Sequence, residues 1–346
     1  MESKLHDLFS TAFKDSEPGG SILIKKGERV IYEQHFGIAN LDTNEKVTES
    51  TLFNTGSISK TFVSNGILIL QERQQLSVEN KITEFFDDFD SPHIIDDIRI
   101  KHLLSHSSGL PDLRRVNEKF EYFLTAKDAG NFEPLKRVHK LHFEPGEKFE
   151  YSNPAYNGLA LIIEKLTNDK WQKFIVSNIF EPAGMKNSKI TDGSYPEKGV
   201  AHGYEFKNGK YIESDYGEVP TFAAAGNGGV WSTTKDLATY EKALQEHTFL
   251  SKALIQESRT IYKPKNWNDT NDPKLGYGWF ISPKNDSKFN IDMIYHTGSQ
   301  GGFNAFYYYF PSKDLLYVGL FNRPLGKSRA KVNAAFDLFE EFNWFD

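Results

Sequence analysis

The sequence predicts a mixed α+β or α/β fold in which helices flank an antiparallel sheet and a mainly helical region is inserted. Runs of β-forming residues lie at both ends of the chain, whereas the pattern from about residue 80 to 265 favours helices and long loops. This distribution predicts one sheet domain built from residues 1–75 and 270–346, with residues 76–269 inserted as a helical domain. A chain of 346 residues is long enough to bury the cores of both.

A helix and a hairpin are predicted at the N-terminus. Apolar residues recur at helical spacing over residues 3–14, and Pro18 ends this pattern. The β-forming runs 21–25 and 29–34 then flank a short turn at Gly27, which predicts an antiparallel hairpin. These two runs are the N-terminal contribution to the predicted sheet.

The inserted region carries clear signals for helices. Asn153 is predicted to cap one of them, with Pro154 in its first turn. Residues 171–180 are predicted to form the next, which Pro182 and Gly184 are expected to end. Because this region has no β-forming runs comparable to those at the chain ends, we expect no comparable strand pairs in it.

Strands return near the C-terminus, after a helix that Ser232 or Thr233 is predicted to cap. The β-forming runs there are residues 277–281, 291–295, 304–310 and 315–321. A last amphipathic helix is predicted over residues 328–342. The loops 100–142 and 192–230 are expected to be ordered and to line a pocket, but they carry no recognisable code for a substrate.

Composition excludes several classes of function. The chain has no cysteine, which rules out thiol catalysis, disulfides and cysteine-bound zinc. Its formal net charge of −6 argues against nucleic-acid binding, and its apolar runs are too short to span a membrane. Residues 1–7 lack the apolar core of a signal peptide, so either the chain is cytoplasmic or a leader was removed, and both alternatives stay open. The expected partner is a small-molecule or short-peptide substrate, and the oligomeric state cannot be read from the sequence.

Ser57 and Lys60 form the motif around which the chemistry is organised. They stand three residues apart where a helix begins, so an amine and a hydroxyl share one helical face. The helix N-terminus disfavours an ammonium, which favours the neutral, basic form of Lys60. A serine beside a lysine base is a known activated nucleophile, although this spacing often arises by chance and needs partners elsewhere.

Two further clusters contain suitable partners. Tyr151 and Asn153 precede a predicted helix, where a phenol could serve as a general base and an amide could hold a substrate. At the end of a predicted strand stands His296-Thr297-Gly298-Ser299, whose small residues would let the backbone approach an extended substrate. A core tyrosine, a capping asparagine and a glycine-rich turn are the ordinary alternatives for these residues.

Taken together, the three clusters resemble those of a known family. Ser57-x-x-Lys60, Tyr151-x-Asn153 and His296-Thr297-Gly298 occur in the order found in the penicillin-binding serine hydrolases typified by class C β-lactamases and DD-peptidases. Further stretches that fit the family are residues 103–111, 143–146 and 228–232. The resemblance covers about residues 15–340 and implies a β-lactamase/transpeptidase-like fold.

The resemblance implies a role for each residue of the motifs. Ser57 would be acylated by the substrate, and Lys60 and Tyr151 would carry its proton. Asn153 would orient the substrate amide. The backbone N–H groups of Ser57 and Ser299 would bind the oxyanion, and the strand that carries Ser299 would also present His296, Thr297 and Gly298 to the substrate. This mechanism needs no metal or cofactor.

His296 departs from the lysine that opens the third motif in many β-lactamases. At the ordinary pKa near 6.5 a histidine is mostly neutral at pH 7, so the pocket loses part of its attraction for a substrate carboxylate. DD-peptidases and D-aminopeptidase- or esterase-like members of the family it resembles include histidine forms. The resemblance therefore implies a hydrolase of D-amino-acid peptides, of the DD-carboxypeptidase, D-aminopeptidase or esterase type. A class C-like β-lactamase is the alternative within this class, and a non-catalytic penicillin-binding or sensor protein is the alternative outside it.

Overall fold

A six-stranded antiparallel sheet forms the centre of the computed structural model, which describes residues 1–112, 127–191, 199–214, 225–269 and 273–345. Its strands are β1 Gly20–Lys26, β2 Arg29–Phe36, β10 Phe280–Ser282, β11 Met293–Gln300, β12 Phe303–Phe310 and β13 Leu315–Phe321. Their order in the sheet is β10-β11-β12-β13-β1-β2, so both chain ends contribute strands. The predicted antiparallel sheet with its flanking helices and helical insertion is confirmed, whereas the exact domain bounds, 1–75 with 270–346 and 76–269, remain a prediction.

The two terminal helices cover one face of this sheet. They are α1, Glu2–Ser10, and α10, Ser328–Glu341, both slightly shorter than their apolar patterns predicted. Leu5 of α1 and Phe339 of α10 are fully buried in one cluster with alternate residues of the strands, such as Ile22 and Tyr317. Because successive side chains of a strand point to opposite faces, the residues between them face the other side of the sheet.

The second face of the sheet packs against the inserted helices and against α2. The helices on this side are α2 Ser59–Glu72, α3 Ile100–Leu104, α4 Asp128–Lys136, α5 Asn153–Thr167, α6 Trp171–Ile175, α7 Glu181–Ala183, α8 Thr234–Gln245 and α9 Lys252–Ser258. Short 3₁₀ turns lie at Gly56–Ile58, Ile82–Glu84, Pro92–Ile95, Lys284–Asp286 and Pro311–Lys313. Among the described residues, no helix is both long and apolar enough to cross a membrane.

The helix α2 is buried on all sides, which makes it the central helix of the larger core. Every residue from Ser59 to Leu70 is buried. A helix with apolar or small side chains on every face is enclosed by other elements of the protein. Gly66 lets α6 come close, since a Cβ there would lie 2.8 Å from the Ile175 side chain. The start of α2, which carries Lys60, is therefore held from several directions.

Short paired strands occur within and beside the inserted region. Within it, β6 Lys189–Ile190 pairs with β9 Val230–Ser232, and β7 Tyr204–Lys207 pairs with β8 Lys210–Glu213. The other neighbour of β9 is β5 Phe53–Asn54, which precedes the insertion. A further small pair joins β3 Ile38–Asn40 to β4 Glu45–Lys46. These strands are too short to stand out as hydrophobic runs. The expected loops 100–142 and 192–230 lie outside the described residues at 113–126, 192–198 and 215–224.

The chain from α6 to α7 also differs from expectation. It passes through a π-helical segment, Val176–Phe180, and does not stop at Pro182. Proline is tolerated in the first turn of a helix because its missing N–H would have no intrahelical partner there. Gly184, with φ at 78°, ends the helix in the left-handed conformation that glycine adopts readily.

Candidate active site

A single 3₁₀ turn presents Ser57 directly before α2. The turn is anchored on both sides: the Gly56 N–H donates to Asn54 Oδ1 at 2.8 Å, and the Thr55 N–H donates to the Val230 carbonyl at 2.9 Å. Gly56 has φ at 53°, a conformation that a residue with a side chain adopts only with strain. The small sheet that contains β5 and β9 thus fixes the position of the Ser57 hydroxyl, which is half-buried.

The Lys60 amine joins the first and second predicted clusters. Its Nζ donates to Ser57 Oγ at 3.0 Å, to Asn153 Oδ1 at 2.8 Å and to the main-chain oxygen of Asn227 at 2.7 Å. The Lys60 side chain is fully buried, and its Nζ lies 5.0 Å from the centre of the Tyr151 ring. A charged amine is costly to bury without such partners, so this geometry stabilises the amine beside the serine.

Tyr151 is held by a histidine that none of the three motifs contains. Its ring stacks on His106 with 4.3 Å between the ring centres, and the Ser152 N–H donates to His106 Nδ1 at 3.1 Å. Burial and the nearby Lys60 lower the pKa of His106 well below its ordinary value, so its ring is neutral. These contacts make His106 a neutral hydrogen-bonding residue beside the Tyr151 ring.

The helix cap beside Tyr151 is not the predicted one. Ser152 is the N-cap of α5 and accepts from the Ala155 N–H at 3.2 Å, while Asn153 is already the first helical residue. The side chain of Asn153 is therefore not used for capping and can accept from Lys60. Its N–H groups face Asp112, with 3.4 and 3.5 Å to Oδ2.

The third cluster lies within β11, not at the end of a strand. Its backbone approaches the Ser57 turn so closely that a Cβ on Gly298 would lie 2.0 Å from the Thr55 oxygen and 3.2 Å from the Ser57 nitrogen. A Cβ on Gly56 would likewise lie 2.8 Å from the Ser299 nitrogen. The main-chain N–H groups that the family resemblance assigns to the oxyanion thus stand on adjoining backbones.

The pKa of His296 differs from the ordinary value on which the sequence analysis relied. The side chain is buried, and its Nδ1–H donates to the Thr297 carbonyl at 2.7 Å. Burial above all, and the Lys60 charge in addition, lower the pKa of His296 to about 3. The ordinary value near 6.5 therefore does not hold here, and the imidazole is neutral throughout the physiological pH range.

Sequence reasoning missed two residues that contact this site directly or through one neighbour. Asn227 contributes only a main-chain oxygen, and every residue type carries that atom, so no sequence signal marks it. Asp128, which holds the loop around Asn227, is separated from the motifs by long stretches of chain. Among the described residues, no group of histidine and acidic side chains is arranged to hold a metal ion.

Comparisons with known proteins agree with the fold. A family model described as "Beta-lactamase" matches residues 6–340. Penicillin-binding protein 4* of Bacillus subtilis (strain 168) is 28% identical over 315 residues, which is 87% of this chain and 67% of that protein. This chain thus spans about two thirds of the length of that relative.

Solved structures show the same architecture. The octameric penicillin-binding protein homologue from Pyrococcus abyssi has a TM-score of 0.81 and 26% identity, over 98% of this chain and 76% of that one. D-amino acid amidase from Ochrobactrum anthropi SV3, complexed with L-phenylalanine amide, has a TM-score of 0.75 and 20% identity, over 97% of this chain and 99% of that one. At that identity the second likeness shows the fold alone. With the family model matching nearly its whole length, this chain belongs to the β-lactamase family.

Proposed function

We propose that this chain is a serine hydrolase that works through an acyl-enzyme on small amides or esters, with D-amino-acid amides and peptides as its substrate class. The observation that carries the proposal is the position of the Lys60 amine, 3.0 Å from Ser57 Oγ and within hydrogen-bond distance of two amide oxygens. A neutral amine has two N–H groups and one lone pair. In that neutral form Asn153 Oδ1 and the Asn227 oxygen accept the two N–H groups, and the N–H that the ammonium form donates to Ser57 Oγ is replaced by the lone pair, which can take the Ser57 proton.

Acylation then follows from this arrangement. Ser57 Oγ attacks the substrate carbonyl carbon while its proton passes to Lys60, and the carbonyl oxygen becomes an oxyanion between the N–H groups of Ser57 and Ser299. Such preorganised donors are each worth about 10² to 10³ in rate. Collapse of the tetrahedral intermediate expels the amine or alcohol, which takes up the proton, and leaves an ester on Ser57.

Tyr151 is proposed to be the base for the hydrolytic water. Lys60 is neutral again after acylation and its amine lies 5.0 Å from the centre of the Tyr151 ring, so it is proposed to take up the phenol proton. The ammonium formed in this way favours the phenolate beside it. Water that loses its proton to Tyr151 attacks the acyl ester, Ser57 recovers its proton, and the carboxylic acid leaves. General base catalysis of this kind contributes about 10² to 10⁴ in rate.

The neutral His296 supports a substrate without a carboxylate at this place. β-Lactams and carboxypeptidase substrates both carry a carboxylate next to the bond that is cleaved, and a fixed cation would bind it. His296 has a pKa of about 3 and therefore offers no charge in the physiological range. Among the three activities that the sequence favours, this supports the aminopeptidase or esterase type over the carboxypeptidase. The match to the β-lactamase family model keeps β-lactam hydrolysis as the second candidate.

A panel of chromogenic substrates separates these activities. It contains a short-chain ester, the anilide of D-alanine with its matched L-alanine anilide, one penam and one cephem. We expect turnover of the ester and of the D-anilide above the L-anilide. Faster turnover of the penam or cephem would favour the β-lactamase, and acylation by the penam without turnover of any substrate would identify a binding or sensor protein.

The nucleophile is tested by mass spectrometry. A fluorophosphonate should add one adduct mass, and peptide mapping should place it within residues 51–73, with Ser57→Ala as the unlabelled control. Labelling of Ser105, Ser107 or Ser108 would contradict the assignment. These three are buried, and the hydroxyls of Ser105 and Ser107 hydrogen bond to each other at 2.8 Å.

A further inference from the structure

A fully buried carboxylate lies outside the three motifs, at the first residue of α4. Asp128 accepts hydrogen bonds from the Asn157 side-chain amide at 2.7 Å, from the Gly226 N–H at 2.8 Å and from the Trp171 indole N–H at 2.8 Å. Burial raises the pKa of Asp128 to about 7, even though these three donors favour the ionised form. Apolar packing in such a place is often at least as stable as a buried charge. The stability of the fold alone therefore does not account for this residue.

The contacts of Asp128 lead to Lys60 in two short routes. Its Oδ1 accepts from the main chain of Gly226, the residue before Asn227, whose oxygen accepts from Lys60 at 2.7 Å. The Asn157 amide nitrogen that donates to Asp128 also lies 3.2 Å from Asn227 Oδ1. Both the main chain and the side chain around Asn227 are thus tied to the same carboxylate.

The loop that carries Asn227 has little freedom to move toward α5. A Cβ on Gly226 would lie 2.8 Å from the Ala160 Cβ and 2.8 Å from the Tyr156 oxygen, so this backbone already touches the helix. Asp128 approaches the same point, 3.5 Å from that hypothetical Cβ. The hydrogen bond to Gly226 therefore holds the loop in one place against α5.

We propose that Asp128 is a positioning residue for the reaction: through Gly226 and Asn157 it holds the Asn227 carbonyl where that oxygen binds the Lys60 amine. This inference rests on the proposed function, because it assumes that Lys60 takes the proton of Ser57. If the carbonyl moves, the amine loses one of the two oxygens that direct its lone pair. A misplacement of about 1 Å in such a constellation can cost about 10²-fold in rate.

Three variants separate positioning from stability. Asp128→Ala removes all three hydrogen bonds. Asp128→Asn keeps an oxygen for Gly226 and Asn157 but turns an amide toward the Trp171 N–H, which repels it. Trp171→Phe removes only the hydrogen bond that does not lead to the loop. For each variant, the measurements are the free energy of unfolding, the rate constant of Ser57 phosphonylation by a fluorophosphonate, and kcat and KM for a neutral ester.

We expect Asp128→Ala to lower the phosphonylation rate and kcat by about 10- to 100-fold with little change in KM, since substrate contacts are unaffected. Asp128→Asn and Trp171→Phe should lose stability yet keep rates close to wild type. Equal rates in Asp128→Ala and wild type would overturn this inference alone, as would rates that fall in all three variants in proportion to stability. A wild type that the fluorophosphonate does not label would overturn the proposed function and this inference with it.

Discussion

Replacing Gly298 by alanine tests the oxyanion site with the least change in chemistry. The new methyl group would lie 2.0 Å from the Thr55 oxygen, whereas contacts below 3.0 Å are essentially never seen for a Cβ. Main-chain atoms on both sides cannot rotate away, so β11 must withdraw from the Ser57 turn by about 1 Å. That shift separates the Ser57 N–H from the Ser299 N–H. Loss of one oxyanion donor typically costs about 10² to 10³ in kcat, which is the decrease we expect for Gly298→Ala.

The assay compares Gly298→Ala with Gly319→Ala, a clash of similar severity away from the site. A Cβ on Gly319 would lie 2.3 Å from the Phe306 ring, in the cluster under the terminal helices. Both variants are expected to lose stability, which urea unfolding measures. Only Gly298→Ala should lose kcat for a neutral ester, measured where both variants remain folded.

A near-wild-type kcat in Gly298→Ala would refute the reasoning, because it would mean that the contact between β11 and the Ser57 turn does not matter for the reaction. An equal loss of kcat in Gly319→Ala would also contradict it, since the effect would then follow from general destabilisation of the sheet.

Two further predictions concern the side chains of the site. Tyr151→Phe keeps the ring on His106 but removes the phenol, so stability should barely change while the rate of ester hydrolysis falls by roughly 10² or more; a rate near wild type would leave Lys60 as the sole base. Burial lowers the pKa of His296 to about 3. Between about pH 6.5 and pH 3 the His296 side chain therefore binds a proton in the unfolded chain but not in the folded chain. The contribution of His296 to stability is thus present above about pH 6.5 and is lost as the pH falls toward 3. As the pH falls through this range, the unfolding free energy of wild type should decrease more steeply than that of His296→Gln, by about 1.4 kcal/mol for each pH unit. An identical pH dependence of both proteins would show that His296 is not buried and neutral.

The fold and the three motifs could be predicted from the sequence because both depend on local patterns of residues. Alternating and helical apolar periodicities identified the strands at the chain ends and the helices between them. The small residues around Gly298 marked a strand whose backbone can be approached closely, and the Ser57-x-x-Lys60 spacing needs only one helical turn. Short strands such as β6 and β9 escaped recognition, because two or three residues are too few for a periodicity to appear.

The environment of each group was decided only by the tertiary structure. His296 was recognised from the sequence, but its low pKa depends on its burial beside Lys60. These two residues are 236 positions apart in the sequence. Ser152 rather than Asn153 caps α5, and this leaves the Asn153 amide for Lys60. The Asn227 oxygen and the Asp128 carboxylate are brought to the site by two segments that are far apart in the sequence. The sequence by itself thus determined which reactive groups are present, while the folded structure determined their desolvation and hydrogen bonding, because both depend on contacts between residues far apart in the chain.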